Sequence, residues 1–420
     1  MKIFTKTYSN GLRLILEKNN KNVIASNIAF IVGSGNETDE QAGYSHFIEH
    51  LLFKSSSKFK TEEIMDKLTM LGADFNAYTS RTNTRFVFKC LAENFEKCFE
   101  IYSDMVLHPR FLDEEIDKER NVVIEEMKKY EDDPSDVMLE AVYRSYYDGT
   151  SLAHDVLGTE EIISSVTREQ LLEYKSKHYK AENAIISVAG NIEFEKLDEI
   201  VTKYFASDFN YEALPSEVDF TLIKPTIKEK YKIIERDDAQ ANVCLHIRGV
   251  GYKDKKKNVQ SLYSSILGNS QNSRLYKKIR EELGFVYSIY AYSEITATHG
   301  DLFIVFGTRP KNVKDAIFEI KKIINELAEN GVTEEELDCA KNLKKSVVEY
   351  SSETNTDRAE TNASFVYLEG KHVSINARKT RFEKVTLEDV NKFAKKIANE
   401  KLFNIVAVGK NLNIEDLKQY

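Results

Sequence analysis

Apolar and polar residues alternate along several short segments of this chain, a pattern that is typical of β-strands. One such segment is NVIASNIAFIVGSGN at 22–36, and another is ANVCLHIRGVGYKDKKKN at 241–258, in the other half of the chain. A polar loop and a segment with helical spacing follow each of them, and the helical segments contain SHFIEHLLF and VQSLYSSILGN. The pattern therefore predicts the same succession of strand, loop and helix in both halves.

The last segments of the two halves also match each other. ENAIISVAGNIEFEKLDEIVTKYF at 182–205 and EKLFNIVAVGKNLNIEDLKQY at 400–420 each read as a strand, a glycine turn and a helix. A pattern that occurs twice predicts two domains of similar fold. We therefore expect an α+β protein with two structurally similar domains, each a mostly antiparallel sheet packed with helices.

Proline content and weak periodicity indicate where the two halves are connected. The segment ASDFNYEALPSEVDFTLIKPT contains two of the five prolines of the chain and little regular spacing of apolar residues. We predict a first domain at 1–210, which would hold the functional site, a linker at 211–226 and a second domain at 227–420.

The first half contains further predicted helices and strands. TEEIMDKLTMLG is typical of a helix that Thr61 caps and Gly72 ends, and ADFNAYTSRTNTRFVFKCL predicts two strands around a polar turn. ENFEKCFEIYSDMVLHP and the long DEEIDKERNVVIEEMKKYEDDP are predicted helices, and Pro134 stops the second one. The chain has neither a G-x-G-x-x-G after a strand nor a G-x-x-x-x-G-K, so a doubly wound nucleotide-binding fold is not indicated.

Composition and charge narrow the class of protein. The 420-residue chain has a net charge of −9 and no basic block with interleaved aromatic residues, which argues against a nucleic-acid partner. Its four cysteines form no C-x-x-C pair, so neither a thiolate zinc site nor a disulfide scaffold is indicated. The segment MKIFTKTYSNGLRLILEKNN lacks the apolar run of a signal peptide, and no segment approaches the roughly 20 apolar residues of a membrane span. We expect a cytoplasmic protein without a membrane partner.

One helical segment, GYSHFIEHLLFKSS, contains the motif H-x-x-E-H with His46, Glu49 and His50. On an α-helix these positions share one face, so two imidazoles one turn apart can converge on a zinc ion, with the acid beside the metal. The motif is the inverted form of the H-E-x-x-H pattern of metalloproteases. Large apolar residues surround the pair, so the histidines need partners, and a core histidine bonded to a backbone carbonyl is the alternative to a metal ligand.

A catalytic zinc site needs a third protein ligand beside an open position for water. The predicted helix DKERNVVIEEMKKYEDD is the informative place to look, because Glu119 and Glu126 lie two turns apart on one face of it. The same helix is partly apolar, and an acid on its buried side needs a positive partner or a metal. Spacing alone leaves several acids open as the third ligand.

The order of these motifs along the chain matches a known family. H-x-x-E-H is followed by 75 residues and then by a glutamate inside ERNVVIEEM. This arrangement resembles the pitrilysin/insulysin-type zinc metallopeptidases, the inverzincins of family M16, and the chain length is similar to its short-chain branch of mitochondrial processing peptidase subunits and bacterial homologues. The resemblance implies one Zn²⁺ per chain, with Glu126 as the third ligand and Glu119 as a supporting acid. Glu125 competes for the ligand role, but the seven-residue spacing from Glu119 favours Glu126.

The resemblance extends to two segments that contact substrate in the family. GADFNAYTSRTNTRF resembles a strand that binds peptide along a sheet edge, which implies substrate-binding roles for Asn76, Ala77 and Tyr78. SRLYKKIREELGFVYSIY resembles a second-half segment in which an arginine and a tyrosine reach toward substrate, and Arg280 and Tyr287 are the matching positions. The preceding LGNSQNSRL has less glycine than the family pattern, so the shape of this loop is left open.

The second half does not repeat the metal-binding motif. When the two strand–loop–helix segments are aligned, Leu262, Ser265 and Ile266 stand near the positions of the motif. None of these side chains ligates zinc well, so we expect a single metal centre in the first half. The remaining histidines have no paired spacing and are predicted to be structural or surface residues: His108, His154, His178, His246, His299 and His372.

Together these expectations describe a zinc metalloendopeptidase that hydrolyses short or unfolded peptides. Glu49 would act as the general base toward water, and Glu119 would orient a metal ligand. The resemblance implies a homodimer, or a heterodimer with a related subunit, that encloses the peptide substrate in a chamber. Two alternatives are a peptidase specific for leader segments or presequences, and a non-catalytic peptide-binding subunit of a heterodimer, against which the intact motif argues.

Overall fold

The strands form two sheets in the computed structural model, which describes residues 2–420. The first sheet consists of β1 (Lys2–Thr7), β2 (Arg13–Lys18), β3 (Val23–Phe30), β4 (Asp74–Thr79), β5 (Thr84–Leu91) and β6 (Ala184–Gly190). The second sheet consists of β7 (Tyr231–Glu235), β8 (Ala241–Arg248), β9 (Val286–Ile295), β10 (Gly300–Thr308) and β11 (Phe403–Gly409).

The α-helices are distributed over both halves of the chain. Those of the first half are α1 (Tyr44–Leu52), α2 (Thr61–Met70), α3 (Phe95–Leu107), α4 (Asp113–Asp132), α5 (Pro134–Tyr146), α6 (Glu160–Ser165), α7 (Arg168–His178) and α8 (Phe194–Tyr204). Those of the second half are α9 (Lys257–Gly268), α10 (Val313–Asn330), α11 (Glu334–Tyr350), α12 (Asn355–Glu369), α13 (Ile375–Glu383), α14 (Leu387–Ala398) and α15 (Ile414–Leu417). Within residues 2–420, no helix combines the length and the apolar character that crossing a bilayer requires.

The two sheets have the same strand order, except that the first sheet has the additional edge strand β1. The first sheet has the order β1-β2-β6-β3-β5-β4, and the second has the order β7-β11-β8-β10-β9. Each contains one parallel pair, β2 with β6 and β7 with β11, and the other pairs are antiparallel. The predicted fold class, α+β with two similar, mostly antiparallel sheets packed with helices, is confirmed.

Most of the predicted elements are found where alternation and helical spacing place them. The strands predicted within 22–36 and 241–258 are β3 and β8, and α1 and α9 follow them. The prediction that Thr61 caps α2 is wrong, because the helix begins at Thr61 itself. The Thr61 hydroxyl donates a hydrogen bond to Glu115 at 2.8 Å instead. Pro134 follows the end of α4 and opens α5, because its fixed φ angle suits the first turn of a helix.

One compact unit is built around the first sheet. It contains the chain up to Lys128 together with His154–Val218 and Tyr350–Val373. Side chains of α1, α2, α3, α7 and α8 form its main core with one face of the sheet. Helix α12 covers the opposite face, where Ala359 and Ala363 allow the helix to approach the strands closely.

The other compact unit is built around the second sheet. It contains Lys129–Ala153, Asp219–Glu349 and Ser374–Tyr420. Side chains of α9, α10 and α14 pack on one face of the sheet, and α5 covers the other face with aromatic residues that include Tyr146 and Tyr147.

The compact units are therefore not continuous in sequence. Helix α5 comes from the first half of the chain but belongs to the second unit, and α12 comes from the second half but belongs to the first unit. Each helix has an apolar face that needs a sheet to bury it, and this burial stabilises the helix more than its own propensity does. The boundaries 1–210, 211–226 and 227–420 stay a prediction for the sequence repeat, which is a different division from that of the compact units.

Candidate metal centre

Helix α1 holds the H-x-x-E-H motif against the core of its unit. All of its nine residues except His50 are buried. Phe47, Ile48 and Leu51 enter the core cluster, which leaves the face with the two histidines and Glu49 pointing away from the apolar interior. The amphipathic spacing of this short helix therefore presents its polar face as one surface.

Gly43 and Glu37 determine where α1 begins. Gly43 adopts a φ of +95°, and a Cβ at this position would lie 2.5 Å from the carbonyl oxygen of Leu157, so only glycine fits. The carboxylate of Glu37 accepts hydrogen bonds from the backbone N–H of Gly43 at 2.8 Å and of Ser45 at 2.7 Å. Burial raises the pKa of Glu37, while these two hydrogen bonds favour its ionised form. A buried acid thus satisfies the first free N–H groups of the helix.

Helix α4 brings the third candidate ligand to the two imidazoles. Ligand atoms of His46, His50 and Glu126 all lie within 4.8 Å of one another. Oε2 of Glu126 is 3.2 Å from Nε2 of His50 and 3.8 Å from Nε2 of His46. Among residues 2–420, this is the group of three histidines, cysteines or acids whose spacing suits a metal ion.

The spacing of these atoms fits a tetrahedral zinc ion. Zinc bonds of about 2.0–2.2 Å separate neighbouring ligand atoms by roughly 3.3–3.6 Å, close to the two distances from Glu126. Nε2 of His46 supports the same interpretation, because it lies beyond hydrogen-bond distance from Oε2 of Glu126. Coordination through Nε2 would give this nitrogen a partner.

Glu119 orients His50 from the other side of the ring. Oε1 of Glu119 lies 2.9 Å from Nδ1 of His50, and Oε2 of Glu119 lies 2.6 Å from Nζ of Lys54. Burial opposes the charge of Glu119, but the hydrogen bonds with His50 and Lys54 outweigh burial and lower its pKa. A carboxylate that accepts the Nδ1–H of His50 leaves Nε2 with a free lone pair for a metal. Sequence reasoning missed Lys54, which stands one turn beyond His50.

Electrostatics distinguish the two histidines. Burial lowers the pKa of His46 to about 4, and the nearby His50 acts in the same direction, so His46 is a neutral ligand near pH 7. Burial also lowers the pKa of His50, but hydrogen bonds to Glu119 and Glu126 outweigh it and raise the pKa to about 9. In the metal-free protein His50 therefore holds a proton that a cation must displace.

Glu49 lies on the same face of α1 and has a partner that sequence reasoning missed. The hydroxyl of Thr79 donates to Oε2 of Glu49 at 2.7 Å. Burial raises the pKa of Glu49 above its ordinary value. The hydrogen bond from Thr79 acts in the opposite direction and offsets only part of this rise. Thr79 is two residues after Ala77 in β4, so strand alternation is the signal that could have found it.

The three predicted substrate-binding positions of β4 do not share one face. Ala77 is buried on the side of the strand that also carries Thr79, whereas Asn76 is exposed. Tyr78 points the other way and shares a hydrogen bond with Glu360. Burial is the main cause of the raised pKa of Tyr78, and this hydrogen bond is the next largest. Strand β4 is at the edge of its sheet and pairs with β5, so the backbone groups of its outer edge are not paired with another strand.

The other predicted positions lie outside this group. Glu125 is exposed, and its carboxylate is 2.7 Å from Nζ of Lys128. Arg280 and Tyr287 belong to the second unit, where Arg280 donates to the hydroxyl of Tyr276 at 2.5 Å and Tyr287 is exposed. The roles of Arg280 and Tyr287 stay predictions.

The aligned positions of the second half and the remaining histidines offer no comparable cluster within residues 2–420. Leu262, Ser265 and Ile266 are buried in α9. Each of five histidines has a polar side-chain partner, and the ring of the sixth lies tilted against a tyrosine ring at 4.4 Å: His108 with Asp208, His154 with Asp39, His246 with Asn404, His299 with Thr296, His372 with Asn362, and His178 with Tyr174.

Family models match most of the chain. Residues 13–160, which include the candidate metal centre, match the model described as insulinase, peptidase family M16. Residues 165–344 match the model described as the peptidase M16 inactive domain. The metal-binding motif is thus in the part that matches the first of these models.

Two solved structures show the same fold. A protease from Helicobacter pylori superposes with a TM-score of 0.87 at 22% identity, covering 97% of this chain and 99% of that one. A peptidase M16 inactive domain from Pseudomonas fluorescens also has a TM-score of 0.87, at 20% identity, and the match covers 98% of this chain and 99% of the other. At such identities the likeness concerns the fold alone.

Similar sequences extend over nearly the whole chain. The uncharacterized zinc protease of Rickettsia bellii is 29% identical over 84% of both chains. The uncharacterized zinc protease YmxG of Bacillus subtilis is 32% identical over 396 residues, which are 94% of this chain and 95% of the relative. Because this identity holds along almost the full length of both proteins, the chain belongs to the M16 family of peptidases.

Proposed function

We propose that this chain is a zinc-dependent endopeptidase that hydrolyses short or unfolded peptides. The observation that carries the proposal is the convergence of His46, His50 and Glu126, with Glu49 on the same helix face as the two histidines. The names of the Bacillus and Rickettsia relatives, both called zinc proteases, support a zinc ion as the metal. The single cluster found among residues 2–420 supports one ion per chain.

The residues around the cluster divide the work of peptide hydrolysis. A zinc ion bound here supplies Lewis acidity, which polarises a peptide carbonyl and acidifies water. Glu49 accepts the proton of the attacking water and passes it to the leaving amine. The hydroxyl of Thr79 keeps the carboxylate of Glu49 in one orientation, and Glu119 keeps Nε2 of His50 free to bind. Burial excludes competing water from Glu49 and strengthens these interactions.

Strand β4 supplies a surface that holds an extended peptide. A peptide that adds to a sheet edge gains backbone hydrogen bonds without much sequence preference. Asn76 and Ala77 would contribute mainly through the backbone, since the side chain of Tyr78 is already paired with Glu360. This mode selects unfolded peptides, because a folded protein rarely offers a free strand.

Further parts of the proposal concern the second unit and the assembly. Arg280 would pair with a carbonyl of the substrate, and Tyr287 would donate to the oxyanion. A homodimer, or a heterodimer with a related subunit, would enclose the peptide in a chamber. A location in the cytoplasm is also part of the proposal. A peptidase that cuts leader segments or presequences would use the same chemistry and differ in the contacts of that chamber.

A second candidate function is a non-catalytic peptide-binding subunit of a heterodimer. The match of residues 165–344 to a model described as an inactive domain supports this alternative for the second half. The candidate ligands and Glu49 of the first half support the peptidase instead. The two functions therefore differ in whether metal is bound and peptide is cut.

Metal content and peptide cleavage test the proposal together. We expect one zinc per chain in the purified protein and cleavage of a quenched fluorescent peptide library, with cleavage lost in Glu49→Gln and zinc retained. Glu125→Gln is the matched control, because Glu125 is an exposed acid of the helix that carries Glu126. Stoichiometric binding of peptides without zinc and without cleavage would favour the non-catalytic subunit.

A further inference from the structure

Helix α4 packs on the core of its unit through a stripe of four apolar side chains, of which Ile116 and Val123 are buried and Ile124 and Met127 are partly buried. Of its 20 residues, the buried ones are Ile116, Glu119 and Val123. Apolar contacts are non-directional, whereas hydrogen bonds require particular distances and angles between two named atoms. The polar contacts of α4 should therefore decide where its ligand residue Glu126 stands.

One of these polar contacts is made by Glu115, to which neither the family motif nor the proposed chemistry gives a role. Oε2 of Glu115 accepts the hydroxyl hydrogen of Ser55 at 2.7 Å, and Oε1 accepts the backbone N–H of Ser55 at 3.1 Å. Oε1 also accepts the hydroxyl hydrogen of Thr61 at 2.8 Å. Ser55 is 4% exposed and comes three residues after the end of α1, so Glu115 links α4 directly to the chain that leaves the histidine helix.

Helix geometry connects this link to the metal centre. At 100° per residue, Glu115, Glu119 and Glu126 fall within about 40° of one another around the helix axis. Glu115 lies about 6 Å before Glu119 along the axis, and Glu126 lies about 10 Å beyond it. If α4 pivots at the contact between Glu119 and His50, a displacement at Glu115 is enlarged nearly twofold at Glu126. Ligand distances of a zinc site tolerate only about 0.2 Å.

We propose that Glu115 is a positioning residue that sets the register of α4 against the segment after α1 and thereby holds Glu126 at ligand distance from the two histidines. The inference rests on the proposed metal centre. It gives the Ser55 and Thr61 hydroxyls a role in metal binding although neither residue belongs to the group of candidate ligands. The link acts through hydrogen bonds of a charged acceptor, which are stronger than neutral ones.

The test compares zinc affinities of two neighbouring acids. Glu114 and Glu115 both lie in the first turn of α4 and both favour the helix dipole, but Glu114 is exposed and Glu115 is the one that binds Ser55. We expect Glu115→Ala to weaken Zn²⁺ binding about tenfold, which is the lower end of the usual effect of losing a residue that supports a metal ligand. Glu114→Ala should change Zn²⁺ affinity less than about twofold. Competition of the full chain with a chromophoric chelator for Zn²⁺ measures both.

A double-mutant cycle separates positioning from a general loss of stability. Ser55→Ala alone should weaken Zn²⁺ binding by less than Glu115→Ala, and it should add almost nothing in the Glu115→Ala background, because both remove the same link. Leu197→Ala, which leaves a cavity in the core at α8, should lower the unfolding temperature of the metal-free protein without changing zinc affinity. Glu115→Gln keeps one oxygen acceptor and should give an intermediate affinity even if the alanine variant folds poorly.

The outcomes for Glu115 and for the peptidase are distinguishable. If the wild type binds zinc and cuts peptides while Glu115→Ala and Glu115→Gln bind zinc as the wild type does, Glu115 has no positioning role and the proposed function stands. If the wild type binds zinc without cutting peptides, the peptidase proposal fails, whereas the affinities still decide the role of Glu115. A wild type that binds no zinc overturns both.

Discussion

Nδ1 of His50 lies 2.9 Å from Oε1 of Glu119, and Nε2 of the same ring lies 3.2 Å from Oε2 of Glu126. One imidazole is thus held between two acids of α4 that are seven residues, or two turns, apart. Glu119 fixes the orientation of the ring, and Glu126 lies beside the Nε2 atom to which a metal would bind. The ring and the helix therefore determine each other's position.

The contact between Glu119 and His50 should be visible in metal affinity. We expect Glu119→Gln to weaken zinc binding about 10- to 100-fold, because the amide carries no charge and stabilises the required tautomer of His50 less well. Chelator competition measures the affinity, and Glu125→Gln serves as the control on the exposed side of α4. Equal affinities of Glu119→Gln and the wild type would show that the ring needs no such support.

The ligand assignment on α4 can be tested by thermal unfolding. Zinc at a hundredfold excess over its dissociation constant should stabilise the wild type by about 2.7 kcal/mol, since it binds the folded state alone. We expect Glu126→Gln to lose this stabilisation and Glu125→Gln to keep it. Differential scanning fluorimetry with and without added zinc, after treatment with a chelator, provides the measurement. The reverse pattern would make Glu125 the ligand.

Thr79 should affect the rate of hydrolysis more than the binding of metal. Thr79→Val keeps the shape of the side chain but removes the hydrogen bond of 2.7 Å to Glu49, so we expect kcat to fall about tenfold or more while zinc affinity stays the same. Thr79→Ser keeps the hydroxyl and should restore most of the rate. Steady-state kinetics on a quenched peptide separate kcat from KM, and an unchanged kcat in the valine variant would contradict a role for this hydroxyl.

Asp301 should make the stability of the second unit depend on acid pH. Its carboxylate is fully buried, accepts the hydroxyl hydrogen of Tyr147 at 2.6 Å and lies 3.2 Å from Nε2 of His246. Burial raises the pKa of Asp301, but attraction to His246 and the hydrogen bonds around the carboxylate outweigh it and lower the pKa below its usual value near 3.8.

A lowered pKa in the folded state means that the unfolded chain takes up the proton of Asp301 more readily. The stabilisation is therefore fully present above about pH 4 and is lost as the pH falls through the lower pKa of the folded state. We expect Asp301→Asn to cost about 3 kcal/mol at pH 7 and to unfold with a weaker dependence on pH below 4 than the wild type. Urea unfolding at several pH values tests this, with the exposed Asp338→Asn as the control.

Local periodicity was enough to predict the part of the site that lies on one helix. His46, Glu49 and His50 share a face because 3.6 residues make a turn, whatever the rest of the protein does. The strands β3 and β8 were predictable for the same kind of reason, since alternation records which side of a strand faces the core. The choice of Glu126 over Glu125 needed the spacing from Glu119 as well as the resemblance to a family.

Tertiary structure decided which distant residues meet. Nothing local to β4 says that Thr79 reaches Glu49, and nothing local to α4 says that Glu115 binds Ser55, because these contacts depend on how separate elements pack. Tyr78 illustrates the same limit, since its partner Glu360 lies far along the chain in α12.

The sequence by itself determined the motif and those helices and strands that periodicity predicts, such as α1, α4, β3 and β8, because hydrogen bonding and side-chain periodicity within a segment depend on neighbours along the chain. Tertiary structure alone decided that α5 covers the second sheet and α12 the first, against their order in the chain. Any sheet with a matching apolar face can bury an apolar helix face, so the sequence pattern of the helix does not identify which sheet it packs against. Only the packing of the whole chain selects one.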